Sequence, residues 1–265
     1  MSEAPPPKGM FDDLTGYDGP SPDALAFARA YVADGEMDPA ILGRLQDPER
    51  IAERQKAAAA LQAADWPALG HYREANRALA GKPVDVVFMG DSITEMWGVA
   101  QPDLFAGRVV NRGVSGQTSP QMLLRFMADV VALKPRFVHL MCGANDVAGN
   151  TGPTTVEDYR NNVRAMVGLA KAHGIGVILG SITPFRTLMW SPEVGECGPR
   201  VAALNGWLAG FAAEQGLTYA DYFAVLADPD GAMRPAFTRD GVHPTGRGYE
   251  AMRPVVDAAL ARALA

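Results

Sequence analysis

Four short stretches hold the residues best suited to chemistry: Gly90-Asp91-Ser92-Ile93, Asn111-Arg112-Gly113-Val114-Ser115-Gly116, Gly143-Ala144-Asn145-Asp146 and Asp240-Gly241-Val242-His243-Pro244. Together they supply a hydroxyl, a glycine amide, a side-chain amide, and a carboxylate beside a histidine. That set suits acyl transfer. A serine hydroxyl is a weak nucleophile until a base takes its proton. His243 is the candidate base. Asp240 is the candidate carboxylate to hold the other ring nitrogen and stabilise the imidazolium. Attack on an ester creates an oxyanion, which needs preset donors. The backbone amides of Ser92 and Gly116 and the side chain of Asn145 are the candidates. An aspartate so close before the histidine works only if a tight turn brings both to one side. Pro244 fixes the exit of that turn and biases His243 away from helical geometry.

These residues need a scaffold that gathers them. From Lys82 onward, short apolar runs alternate with helical stretches. Strands are expected at Val84–Met89, Arg108–Asn111, Phe137–Met141, Ile175–Gly180 and Leu217–Tyr219. Helices are expected between them at Ser119–Leu133, Val156–Ala172 and Pro199–Gln215, and last at Arg247–Leu264 with a kink at Pro254. Such alternation implies an α/β fold with a parallel sheet covered on both faces. Ligands then gather at the carboxyl ends of the strands, where Ser92 stands. Ahead of this unit, residues 1–21 read as irregular. Helices are expected at Asp23–Asp34 and in the alanine-rich Pro48–Ala64. A third is expected from Trp66 to Ala80, with Asp65 as its N-cap. The division is an irregular and helical extension over 1–80 and an α/β domain over 81–265 that carries all four stretches.

The four blocks in this order resemble the SGNH (GDSL-type) hydrolases, which include esterases, lipases, thioesterases and carbohydrate deacetylases. Gly90-Asp91-Ser92-Ile93 matches the first block, with Ile in place of Leu. Gly116 in VSGQTS matches the glycine of the second. Gly143-x-Asn145-Asp146 matches the third and Asp240-x-x-His243 the last. The resemblance covers roughly Val84 to the carboxyl end. It implies a three-layer α/β/α flavodoxin-like fold and a Ser92–His243–Asp240 triad, and it demands no metal or other cofactor. The expected activity is ester hydrolysis through an acyl-enzyme, on short acyl or acetyl esters, those of carbohydrates included. A lysophospholipase, a thioesterase or a non-catalytic binder of a carbohydrate or other small molecule on the same fold are the alternatives.

Plainer roles are open to the same residues. Ser92 alone is equally an N-cap for a helix starting at Ile93. Asp91 reads as a carboxylate that orders its turn, with substrate contact as the second option. Asp146 reads as a loop organiser. The long stretch after the fourth strand, from Thr183 to Gly198, offers Arg186 and Trp190 as substrate contacts, or simply a surface loop with packed hydrophobes. His71, His139 and His173 lack a partner set. Trp97 reads as core.

Composition narrows the partners. The chain has 265 residues, 48% hydrophobic, and a net charge of −6 with no long basic run. Nucleic acid is therefore an unsuitable ligand. No stretch approaches a membrane span. The start, MSEAPPPKGM, lacks the basic and apolar regions of a signal peptide. That points to the cytoplasm for a complete chain, and to the periplasm or secretion if a leader was removed. Cys142 and Cys197 form neither a disulfide framework nor a metal spacing. An oligomer is neither required nor excluded.

Overall fold

The computed structural model describes residues 19–33, 35–40, 47–189 and 191–265. There are five short strands, β1 (Val86–Gly90), β2 (Val109–Gly113), β3 (Phe137–Met141), β4 (Gly176–Gly180) and β5 (Thr218–Ala220), of which β1 and β4 are unbroken apolar runs. They form one parallel sheet in the order β2-β1-β3-β4-β5. The expected strands fall at these places, with ends shifted by one or two residues.

Both faces of the sheet are covered, so alternate residues feed two cores. Val87, Met89, Val138, Leu140, Val177 and Leu179 point to one side. There they meet helices α5 (Ser119–Asp129), α7 (Val156–Ala172) and α8 (Gly198–Gln215). Val86, Phe88 and Ile178 point to the other side. Helices α4 (Ser92–Ala100) and α10 (Gly246–Leu264) cover that face. Trp97, Tyr222 and Tyr249 are fully buried there, and His139 stacks on Phe88 with ring centroids 4.4 Å apart. His139 Nε2 meets the Tyr222 hydroxyl at 2.7 Å. It is thus a core histidine. Two further short helices, α6 (Ala144–Ala148) and α9 (Tyr222–Leu226), follow β3 and β5.

The extension begins with α1 (Pro22–Val32), capped by the Ser21 side chain and packed on α4. Next comes α2 (Pro48–Ala64), whose described side chains are all exposed. Asp34 and most of the irregular 1–21 stretch lie outside the described residues. The expected Trp66–Ala80 helix is corrected. Only α3 (Arg73–Ala78) is helical, and the rest is a series of turns. Asp65 accepts from Gly70 N at 2.6 Å instead of capping the next residue, and Ala68 has a left-handed φ of 57°. The expected Ser119–Leu133 helix also stops early. It ends at Asp129, a 3-10 turn spans Val131–Leu133, and Lys134 is left-handed ahead of Pro135. α10, by contrast, runs on through Pro254.

Burial holds the His139 imidazole far below its usual range, at about 3. The unfolded chain therefore binds a proton that the folded one refuses between roughly pH 6.5 and pH 3. Stability from this group is full above that window and is lost as pH falls through it, by up to about 1.4 kcal/mol per pH unit. Urea unfolding at pH 6.5 and pH 4.5 checks this: His139→Gln is expected to lose less stability between the two than the wild type.

Candidate active site

The strand order places the crevice. The chain leaves β1 for β2 on one side and returns to β3 on the other. Loops after these strands diverge and leave room at the sheet's carboxyl edge. Three of the four blocks are those loops, and the fourth arrives from the stretch between α9 and α10.

Asp91 is the N-cap of α4. Its Oδ1 accepts from Ile93 N at 3.0 Å. Ser92 is therefore the first helical residue and not the cap, which leaves its hydroxyl for another partner. Its N–H sits in the first turn, where amides lack an intrahelical acceptor. Ser92 Oγ lies 2.9 Å from His243 Nε2, and His243 Nδ1 lies 2.7 Å from Asp240 Oδ2. The tight turn is real: Asp240 Oδ1 accepts from Val242 N at 2.9 Å and His243 N at 2.8 Å. Burial alone would raise the Asp240 carboxyl. The hydrogen bond and charge of His243, with these amides, outweigh it and hold the group well below the usual range. A carboxylate, an imidazole and a hydroxyl thus stand in one hydrogen-bonded line, the arrangement that carries a proton off a serine.

The loop after β2 is tightly seated. Val114 N donates to Gly90 O at 3.0 Å. At Gly113 a Cβ would fall 2.2 Å from Glu95 N, so only glycine lets α4 approach this closely. Gly116 has a φ of 78°, in the region that favours glycine, and it is exposed. Glu95 lies one helical turn after Ser92. Its carboxylate accepts from Ser115 N at 2.8 Å and from the Ser115 hydroxyl, fixing the residue before Gly116. The extension adds to this. Tyr72 Oη donates to Gly113 O, and Gln117 Nε2 donates to Pro67 O at 2.9 Å. Below them, the fully buried Arg125 donates to Gln117 Oε1, to Asp129 Oδ2 and to Gly90 O.

Asn145 is 6% exposed. Its Nδ2 donates to Gln117 O at 3.0 Å and faces Asp91 Oδ2 at 3.4 Å, while its Oδ1 accepts from Asn150 Nδ2 at 2.6 Å. That acceptor role fixes which end of the amide faces the site. Asp146 accepts from Ser119 N and Oγ and ties the loop after β3 to the start of α5.

The remaining candidates separate. Asp91 is 2% exposed; its Oδ1 caps α4 and its Oδ2 faces Asn145. The turn-ordering role is the bond from Ile93 N. Arg186 is 46% exposed and forms a two-pronged ion pair with Glu196. It borders a cavity of about 410 Å³ with Pro199, Ala202, Phe223 and Asp230. Trp190 lies outside the described residues. Two residues escaped the sequence reading. Glu95 carried a usable signal, its helical spacing from Ser92. Tyr31 carried none: its hydroxyl reaches His243 O at 3.0 Å across most of the chain.

The model of the GDSL-like lipase/acylhydrolase family matches residues 88–251. The chain belongs to that family. This GDSL-family chain is similar to the solved structure of a GDSL-like lipase from Bacteroides thetaiotaomicron. Identity is 37% with a TM-score of 0.71, over 74% of this chain and 98% of that one. It is also similar to a Bacteroides fragilis protein described provisionally as an acylhydrolase, at 38% identity and a TM-score of 0.73, over 76% and 99% of the two chains. Among curated relatives, an acetylxylan esterase of Geobacillus stearothermophilus is 35% identical over 85 residues, 29% of this chain and 38% of that protein. The chain thus matches little more than a third of that relative's length. No described helix is long and apolar enough to cross a membrane.

Burial raises the Asp91 carboxyl to about 6. The folded state then holds a proton that the unfolded chain gives up between about pH 4 and pH 6. The contribution of Asp91 is full below that window and lost as pH rises through it. Asparagine caps a helix as well as aspartate does. Asp91→Asn is therefore expected to match wild-type stability near pH 4 and exceed it at pH 8, as read by urea unfolding at both values.

Proposed function

We propose that the protein is a carboxylic ester hydrolase that works through an acyl-enzyme on Ser92. The observation that carries this reading is the unbroken line from Ser92 Oγ through His243 to Asp240, at 2.9 Å and 2.7 Å. His243 Nε2 takes the hydroxyl proton as Oγ attacks the ester carbonyl. Asp240 stabilises the imidazolium. The oxyanion forms among the N–H of Ser92, the N–H of Gly116 and Nδ2 of Asn145. The long 3.4 Å contact from Nδ2 to Asp91 is the weaker of its two, and so the one that yields to the oxyanion. The tetrahedral adduct collapses, and His243 returns its proton to the leaving alcohol. Water then repeats the cycle on the acyl-enzyme and releases the acid.

For the substrate we infer short acyl groups, acetyl first, on a hydroxyl-rich alcohol such as a carbohydrate. The similarity to an acetylxylan esterase supports the acetyl group. The polar Glu95 and Ser115 beside Gly116 support a hydroxylated alcohol.

Hydrolysis of p-nitrophenyl esters from acetyl to octanoyl tests both statements. Wild type is expected to be fastest on acetyl, and Ser92→Ala to lose at least about a thousandfold in kcat. Preference for octanoyl would turn the substrate reading toward lipids. Equal turnover by both proteins would remove Ser92 from the chemistry, and a folded wild type that binds acetylated sugars without cleaving them would favour a binder.

A further inference from the structure

The turn that carries Asp240 and His243 is held from outside by the amino-terminal helix. Tyr31 lies in the last turn of α1 and is 4% exposed. Its hydroxyl donates to His243 O at 3.0 Å and accepts from Arg239 N at 3.2 Å. Those two backbone groups are the two ends of the turn. One oxygen therefore bridges the entry and exit of the segment that must present carboxylate and imidazole on the same side. The Tyr31 ring also meets the His243 imidazole edge-on, with centroids 6.1 Å apart.

The helix is fixed to the turn by further contacts. Arg239 Nε donates to Tyr31 O at 3.0 Å, and Nη2 donates to Ala33 O at 2.8 Å and Gly35 O at 2.7 Å. At Gly246, just past the turn, a Cβ would lie 2.5 Å from Val32 O. The end of α1 sits so close that no side chain fits between. Burial, and then the charge of Asp240, push the Tyr31 phenol upward, so it remains a proton donor at any working pH.

We propose that Tyr31 is a positioning residue for catalysis, a bridge that sets the angle at which Asp240 meets His243, which makes α1 part of the active machinery. This rests on the Ser92–His243–Asp240 reading above. Tyr31 Oη also faces the side chains of Thr238 and Asp240, which hold the turn from within through Asp240 N, Gly241 N, Val242 N and His243 N; Tyr31 adds a restraint from outside that joins the two ends. Without the hydroxyl, the ends of the turn spread, and His243 spends less time aligned with both Asp240 and Ser92. Substrate contacts are left alone.

The test is Tyr31→Phe in the full chain, which keeps the ring and removes only the bridge. On p-nitrophenyl acetate, kcat is expected to fall about tenfold while KM stays within about twofold. The rate at which a fluorophosphonate labels Ser92 should fall by the same factor. The downfield Nδ1 proton signal of His243, assigned by its loss in His243→Ala, should broaden. A well-folded variant with wild-type kcat and labelling rate would overturn the proposal. So would equal losses in labelled sites and in folded fraction, because that marks a purely structural role. Should Tyr31→Phe fail to fold, Arg239→Ala carries the test. It cuts three bonds to the α1 end and is expected to give the same split between kcat and KM; unchanged kcat would overturn the proposal. Ser92→Ala run alongside separates the two failures. Full activity in that variant removes the triad reading itself, whereas an inactive Ser92→Ala beside an undiminished Tyr31→Phe removes only the bridge.

Discussion

A hydrogen bond of 2.9 Å joins Ser92 to His243 across 151 residues of chain. No local preference can produce it. Each partner must be set independently to within a few tenths of an ångström, and the fold does so by two different means. Ser92 is set from below: it follows β1 by two residues, opens α4 behind its Asp91 cap, and rests on a packed core that includes Trp97 and Phe88. His243 lies on no regular element. It is set by its own turn, which Asp240 closes from within through two backbone amides, and by α1 from without. The rigid partner comes from the sheet and the adjustable one from a loop that is braced twice.

The loop bearing Gly116 follows a similar logic, with a buried charge at its root. Arg125 and Asp129 are a fully buried ion pair. Such a pair gains little net stability, yet removing one partner strands the other and costs about 3–5 kcal/mol. Here the guanidinium also holds the carbonyl of Gly90 and the side chain of Gln117. It thereby ties the end of β1 to the β2 loop, and Asn145 joins them through Gln117 O. Three loops share one scaffold of directional bonds. An apolar core could fill that space but could not fix the angles.

Much of this was legible in residues that sit at strand ends. Gly90-Asp91-Ser92, Gly143-Ala144-Asn145 and Asp240-x-x-His243 announce themselves because chemistry and geometry constrain each within a few positions. The parallel sheet was legible because strands buried on both faces are continuous apolar runs. The segment from Trp66 to Ala80 misled because its residues favour a helix, whereas Asp65 instead finds Gly70 and Ala68 adopts a left-handed conformation. Arg125 looked like any helical arginine paired with an aspartate one turn on, since its other partners, Gln117 and Gly90, come from outside the helix. Tyr31 and Arg239 were invisible for the same reason. Their contacts, more than 200 residues apart in sequence, leave no spacing to read.

That last contact governs timing as well as shape. Tyr31 and His243 are separated by 212 residues. At a synthesis rate of about 5–20 residues per second, α1 emerges roughly 10–40 s before the turn it braces exists. During that interval the buried face of α1 has α4 to pack on but lacks its carboxyl-terminal partners. Over the same interval the sheet face under α4 stays uncovered, because Tyr249, Met252 and Val256 of α10 follow His243 in the chain. A polypeptide cut short before the last loop therefore lacks both the imidazole that meets Ser92 and the helix that closes one of the two cores.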